Sequence, residues 1–246
     1  MSAVSFERPS AANAVDLEFN TREGRLRQRL DRAAVVPFEH DCSPVRNFPS
    51  FRGQRNYSGL WWFATTNAHV GYESWVERDQ LMVLDADPDV VGVLSQPFWI
   101  HWADGTRHSP DYFVRRRDGS VVVVDVREDD RISDADQQVF DRSAAACATV
   151  GWGYRRVGAV DPILRANLRW LSGYRHPRVL RAGSADRLAE VFTRSGPLMA
   201  GVRAVGTPLV VLPVLYHLLW HGRLAADLCA APLADHTLVA RSGDGW

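Results

Sequence analysis

Residues 15–19 alternate apolar and acidic side chains, the two-residue period of a half-buried strand. Residues 26–36 read as a second, weaker strand, and Gly24 between the two predicts a hairpin. Residues 42–59 are rich in Pro, Gly, Arg, Asn and Ser and read as loop, followed by a short apolar strand over 60–64. Residues 73–84 hold no Gly or Pro. Trp75, Val76, Leu81, Met82 and Leu84 give them one broad apolar side, so a helix is expected there. Asp87-Pro88-Asp89 ends it, because the residue before a proline avoids helical dihedrals. Strands are expected over 90–94, 98–102, 111–114 and Val121–Val126, the last two joined around Asp118-Gly119, a hairpin signal. The unbroken valines at 121–124 predict a strand covered on both faces. A helix over 133–150 capped by Ser133, a strand over 154–157 and a helix over Pro162–Leu171 capped by Asp161 follow. This order is that of an α/β protein, a mixed sheet flanked by helices.

The pattern then changes. Residues 174–183 are rich in Arg and His and read as a linker. Helices are expected from Ser184 to about 193, over 197–205 and over 209–221. Two short strands, 224–228 and 237–240, close the chain. Three helices and a terminal hairpin give a small helical, winged-helix-like C-terminal domain. The expected division is an N-terminal tail and strand-rich extension over 1–45, a central domain over 46–173 and the C-terminal domain over 174–246.

Composition narrows the classes. With 246 residues, 46% hydrophobic and 24% charged, the chain can bury an ordinary core, which excludes collagen-like and wholly disordered proteins. The 29 basic and 29 acidic residues cancel, so a polycation coating nucleic acid by charge alone is excluded, while a local basic patch is not. All the basic residues are Arg, so any site that ordinarily uses Lys must manage without it. Cys42, Cys147 and Cys229 are dispersed and odd in number, against a disulfide framework or zinc ribbon, and a reducing cytoplasm is the expected location. The first residues lack a signal-peptide pattern. The longest apolar run, Pro208–Trp220, is too short to span a bilayer, so no membrane association is expected.

The candidate chemistry lies in Pro110-Asp111 and Asp125-Val126-Arg127, preceded by a helix bearing Glu73 and Glu77. Magnesium is usually held by one or two carboxylates plus water and substrate phosphate, and two carboxylates facing one way on adjacent strands supply such a seat. Whether they face one way depends on the hairpin. A two-residue loop at Asp118-Gly119 sets Asp111 opposite Val126, whereas a three-residue loop with Gly119 in the left-handed position sets it opposite Asp125. Arg127 then shares their face. An acidic residue within the apolar strand must be paired, metal-bound or at a sheet edge, because burying it alone is costly.

Ser109-Pro110-Asp111-Tyr112-Phe113 followed by the strand ending Asp125-Val126-Arg127 resembles the PD-(D/E)xK restriction-endonuclease-like superfamily. The wider run is similar to the TnsA-like endonuclease subunit of heteromeric transposases: residues 72–79, 84–91, Ser95-Gln96-Pro97-Phe98 and 108–113, with 48–62 ahead of them. The resemblance covers roughly residues 40–240. It implies a restriction-endonuclease-like fold and a magnesium-dependent DNA endonuclease, with manganese able to substitute, cutting one strand at each transposon end. It also implies double-stranded DNA, a DDE-type transposase and an AAA+ ATPase regulator as partners. The family's helix glutamate falls on Glu77, with Glu73 one turn away as the fallback, its strand aspartate on Asp111, and its next metal-side residue on Asp125. Its lysine falls on Arg127, a departure, because a guanidinium does not give up its proton.

Arg46, Arg52 and Arg55 are interleaved with aromatic residues, a pattern suited to DNA-backbone contact, and Arg116 at the expected hairpin tip is a further candidate. His108, beside the aspartate motif, reads as a hydrogen-bonded strand residue. Two alternatives stay open: a weakened DNA-binding or assembly subunit of the same complex, and a stand-alone restriction or repair nuclease of the same fold.

Overall fold

The computed structural model describes residues 15–46 and 57–243, and every structural statement below concerns these residues. The chain opens with β1 (Val15–Thr21), β2 (Gly24–Arg29), the short helices α1 (Leu30–Ala33) and α2 (Phe38–Asp41), and β3 (Cys42–Ser43). After the undescribed stretch come β4 (Gly59–Phe63), β5 (Ala68–Tyr72), α3 (Trp75–Ala86), β6 (Val90–Ser95), β7 (Trp99–Trp102) and β8 (Arg107–His108). Next are β9 (Tyr112–Arg116), β10 (Val121–Val126), α4 (Asp134–Ala148), β11 (Gly153–Val157) and α5 (Pro162–Leu171). The helix-rich remainder holds α6 (Ala182–Val191), β12 (Gly196–Pro197), α7 (Leu198–Val205), α8 (Pro208–Trp220), β13 (Leu224–Ala225) and β14 (Leu238–Arg241).

The hairpin expected at Gly24 is present, with β1 and β2 antiparallel from Asp16 opposite Arg29 to Thr21 opposite Gly24. The strand expected over 26–36 is a correction: it stops at Arg29, and Leu30 and Ala33 turn into a helix that buries both. β5 and β8 have no counterpart among the expected strands. The helix placed after a Ser184 cap instead starts at Ala182, so Ser184 lies inside it.

Among the described residues two compact units result, one drawn from 15–46, 57–60, 70–74 and 91–158, the other from 61–69, 75–90 and 159–243. The expected segments 46–173 and 174–246 cut across them. α3 and α5 belong with the C-terminal helices, because Met82, Leu168 and Leu171 are buried in one cluster with Leu188, Val202, Leu215 and Trp220. No helix among the described residues is long and apolar enough to cross a membrane.

The first unit holds an antiparallel sheet in the order β2-β1-β7-β8, with β3 on β1, and a mixed sheet in the order β11-β10-β9-β6. Val121 and Val123 of β10 enter the same core as Leu17, Phe19 and Ile100 of the antiparallel sheet and Ala146 and Cys147 of α4. α4 is held by a reciprocal cap: the Ser133 hydroxyl accepts from the Asp136 N–H, and the Asp136 carboxylate accepts from the Ser133 N–H.

The second unit contains a buried charge. Asp85 accepts from the Trp61 indole N–H at 2.9 Å and the Ala64 N–H at 2.8 Å, with Arg175 Nε 3.7 Å away. Burial pushes its carboxyl from 3.8 up to about 6, against the opposing pull of Trp61, Ala64 and Arg175. The folded state therefore binds the proton more tightly than the unfolded chain, so this group's contribution is fully present below about pH 4 and is lost as pH rises to about 6. We expect the unfolding free energy of wild type to fall, relative to Asp85→Asn, by about 3 kcal/mol at most across that window. Urea titrations of both proteins at several pH values check this, and parallel pH profiles would contradict it.

Candidate active site

The hairpin decides where the two strand carboxylates lie. β9 and β10 pair from Val121 opposite Arg115 to Val124 opposite Tyr112, so Asp125 and Asp111 are the residues immediately beyond the last pair. The Arg116 N–H bonds the Ser120 carbonyl, and the Gly119 N–H bonds the Arg116 carbonyl. This leaves Arg117-Asp118-Gly119 as a three-residue loop with Gly119 at φ +84°, a conformation costly for any residue with a Cβ.

Asp125 is 3% exposed although its side chain is a carboxyl group. Its oxygens accept from His108 Nε2, at 2.9 Å to each, and from the Tyr154 hydroxyl at 2.6 Å. β11 runs parallel to β10 with Tyr154 beside Val123, so the phenol reaches two residues along β10 to the carboxylate. Burial, and then the Asp125 charge, hold the Tyr154 phenol well above its usual range, so it stays protonated and donates. The same two causes push the nearby Cys147 thiol up to about 12, leaving it a thiol and not a nucleophile. Asp111 precedes β9: its N–H bonds the Val124 carbonyl at 3.1 Å, and its Oδ2 accepts from the Val126 N–H at 2.7 Å. It is therefore tied to β10 through both backbone and side chain.

Arg127 follows Asp125 by two residues, and its N–H bonds the Val157 carbonyl of β11. Its guanidinium donates from Nε to the Arg131 carbonyl at 3.2 Å and lies 3.6 Å from Asp136 at the start of α4. Hydrogen bonds from Ser133, first its N–H and then its hydroxyl, hold the half-buried Asp136 carboxyl below its usual range, and the charges of Arg127 and His108 add to this. Arg127, Asp136, His108 and Asp125 thus share one region at the end of β10.

The other expected residues are placed as follows. Glu73 lies in the first unit and pairs with Arg46, 2.8 Å apart. Glu77 lies in the first turn of α3, in the second unit, half-buried. Arg116 is half-buried at the end of β9. Arg52 and Arg55 lie outside the described residues. Among the described residues, no group of three or more His, Cys, Asp or Glu side chains is gathered closely enough to hold a metal ion.

His108 is the hydrogen-bonded strand residue its position suggests. Tyr154 is a site residue that the sequence does not reveal, and no local pattern marks it, since it lies 29 residues from its partner. Gln96 carries a further irregularity. It is 1% exposed, has φ +45°, and its side-chain amide makes no hydrogen bond among the described residues, while its N–H bonds the Asp111 carbonyl at 2.7 Å. A bulky residue with positive φ stores strain, here directly against the residue that carries a candidate carboxylate.

The donor chemistry suits a hard cation. Two carboxylates just beyond one strand pair match in number magnesium's usual share of protein ligands. The two side-chain donors on Asp125 are a phenol and an imidazole, neither of them a permanent cation, and no guanidinium pairs with it among the described residues. No family model matches this sequence, and no curated protein matches it significantly.

Proposed function

We propose that this chain is a magnesium-dependent DNA endonuclease of restriction-endonuclease-like fold, acting as the nuclease subunit of a heteromeric transposase. One observation supports the reading: the three-residue loop brings Asp111 and Asp125 to the same end of the hairpin, each just beyond the Tyr112–Val124 pair, with Arg127 two residues on. Asp111 and Asp125 would hold the metal, and the resemblance assigns the helix carboxylate to Glu77, with Glu73 as the fallback. A bound magnesium or manganese ion supplies neutralisation of phosphate charge and acidification of a water molecule. His108 and Tyr154 fix the Asp125 carboxylate by donating to it, the kind of support that metal-binding carboxylates commonly receive. Arg127 cannot accept a proton, so its role is to hold phosphate.

The C-terminal order α6, β12, α7, α8, β13, β14, with β14 between β12 and β13, supports the winged-helix-like assignment. In this reading the substrate is double-stranded DNA at transposon ends, and a DDE-type transposase and an AAA+ ATPase are the partner subunits. Arg46, Arg52, Arg55 and Arg116 are the proposed backbone contacts.

The second reading, a non-catalytic assembly subunit, is favoured by the Arg127 guanidinium lying against Asp136 and the Arg131 carbonyl. A plasmid-nicking assay with magnesium or manganese and the partner subunits decides. Wild type is expected to nick and Asp111→Ala to fall by about a hundredfold or more, the scale of deleting one catalytic electrostatic contact. A wild type inert with all partners present, and binding no metal by calorimetry, would establish the second reading.

A further inference from the structure

The second unit has an open groove of about 760 Å³ between α3 and α5, which the nuclease reading leaves without a use. Its walls combine two partly exposed indoles with three guanidiniums: Trp75 and Arg78 from α3, and Arg165, Arg169 and Trp170 from α5. Trp75 is 47% and Trp170 55% exposed, so each presents part of its indole to solvent at the groove. One acid, Asp79, lies among them, and it is buried.

The groove is built rather than accidental. Trp75, Arg78 and Asp79 share one face of α3, and Arg165 and Arg169 are one turn apart on α5. Asp79 accepts from Arg78 Nε at 3.1 Å and lies 3.8 Å from Arg165, so one buried carboxylate aims two guanidiniums. The Arg78 guanidinium lies over the Trp75 ring, 4.3 Å from its centroid, making a flat cationic and aromatic platform. Trp170 is braced by Tyr174 and by Tyr216, each with ring centroids 6.0 Å away. Arg169 makes no side-chain hydrogen bond or ion pair among the described residues and is exposed. Three cations against one anion leave a net positive groove.

From this geometry we infer that the α3–α5 groove binds a single-stranded nucleic acid segment. Arg165 and Arg169 take phosphates, while Trp170 and the Trp75–Arg78 platform take bases by stacking. Braced aromatics beside guanidiniums are the chemistry of sequence-tolerant single-strand binding, where stacking on one aromatic is worth about 1–3 kcal/mol per base. Duplex bases are already stacked on one another and cannot use the indoles. An acidic peptide would use the arginines and leave both indoles idle. The inference rests on the DNA-processing reading only for favouring nucleic acid over such a peptide, and it does not require the Asp111 and Asp125 site to be catalytic.

The test is fluorescence anisotropy of the full chain in EDTA, with a labelled thymidine oligonucleotide of about 15 nucleotides, a duplex of equal length and a glutamate-rich peptide as probes. Wild type is expected to bind the single strand more tightly than the duplex or the peptide. Arg165→Ala with Arg169→Ala should weaken binding about tenfold or more and reduce the salt slope by about 1.4, at roughly 0.7 for each phosphate no longer neutralised. Trp170→Ala should weaken binding with the salt slope unchanged. Because Trp170 also packs on Tyr174 and Tyr216, Arg169→Glu, which touches neither ring, is the independent variant and should weaken binding at least as much as Arg169→Ala. Unchanged affinity in the arginine variants overturns the inference, as does equal or tighter binding of the duplex or the peptide. If groove-dependent binding is found and no nicking, only the nuclease reading fails. If nicking is found and groove variants bind as wild type does, only the groove fails.

Discussion

On the nuclease reading proposed above, Asp125→Ala is expected to abolish metal-dependent strand cleavage and, separately, to destabilise the first unit by about 2–6 kcal/mol. The two effects have different origins. Cleavage is lost because a magnesium site built on one or two protein carboxylates cannot give one up. Stability is lost because His108 Nε2 and the Tyr154 hydroxyl both donate to Asp125, at a position 3% exposed. Deleting the acceptor leaves both donors without it, at about 1–3 kcal/mol each. Asp125→Asn separates the effects. It keeps the volume and one acceptor oxygen for Tyr154, so the stability loss should shrink by about half, while cleavage should remain at least about a hundredfold down. Tyr154→Phe removes one donor without touching the carboxylate and should cost no more than about 1.5 kcal/mol. Nicking rates and urea unfolding measured on the same four proteins check this. An Asp125→Asn protein that cuts at the wild-type rate would remove Asp125 from the catalytic assignment, and Asp125→Ala as stable as wild type would contradict the buried hydrogen bonds.

Elements set by local chemistry were legible in the sequence. Ser133 with Asp136 three residues on, and Asp161 before Pro162, fix the starts of α4 and α5 whatever surrounds them. Asp118-Gly119 between two apolar runs placed the hairpin, and the run at 121–124 marked the strand covered on both faces. What depends on distant partners was not legible. The run from Leu26 pairs with β1 up to Arg29, after which Leu30 and Ala33 find burial as a helix. Composition suggested a break after residue 173, but Leu168 and Leu171 bury against α6 to α8, so the unit boundary follows the core and not the linker. The candidate site divides in the same way. Asp111 and Asp125 lie just beyond the same strand pair, with Arg127 two residues on, which loop length and strand period can give. His108 and Tyr154 meet Asp125 across 17 and 29 residues, and no short-range pattern encodes that.

Phe38→Ala is expected to destabilise the protein by about 3–5 kcal/mol, the range for removing a fully buried aromatic side chain. Phe38 sits on α2, a helix of four residues whose own hydrogen bonds are too few to hold it. Its ring is 0% exposed and meets four others: Phe19 of β1 and Phe98 beside β7 at 5.1 Å, Phe113 of β9 at 5.2 Å and Trp152 beyond α4 at 6.1 Å. These partners come from both sheets of the first unit and from the connection between α4 and β11. One ring therefore supplies packing that each of those elements uses. The edge-on geometry with Phe19, Phe98 and Trp152 adds about 0.5–1.5 kcal/mol per pair beyond area burial. Relaxation around a cavity bordered by four rigid rings is limited, which places the cost toward the upper end of the range. Phe38→Leu keeps part of the volume and should cost less than half as much. Urea denaturation followed by tryptophan fluorescence, which reads Trp152 next to the substitution, measures both. A Phe38→Ala midpoint corresponding to less than about 1 kcal/mol would mean that the two sheets and α4 are held together by packing other than this cluster.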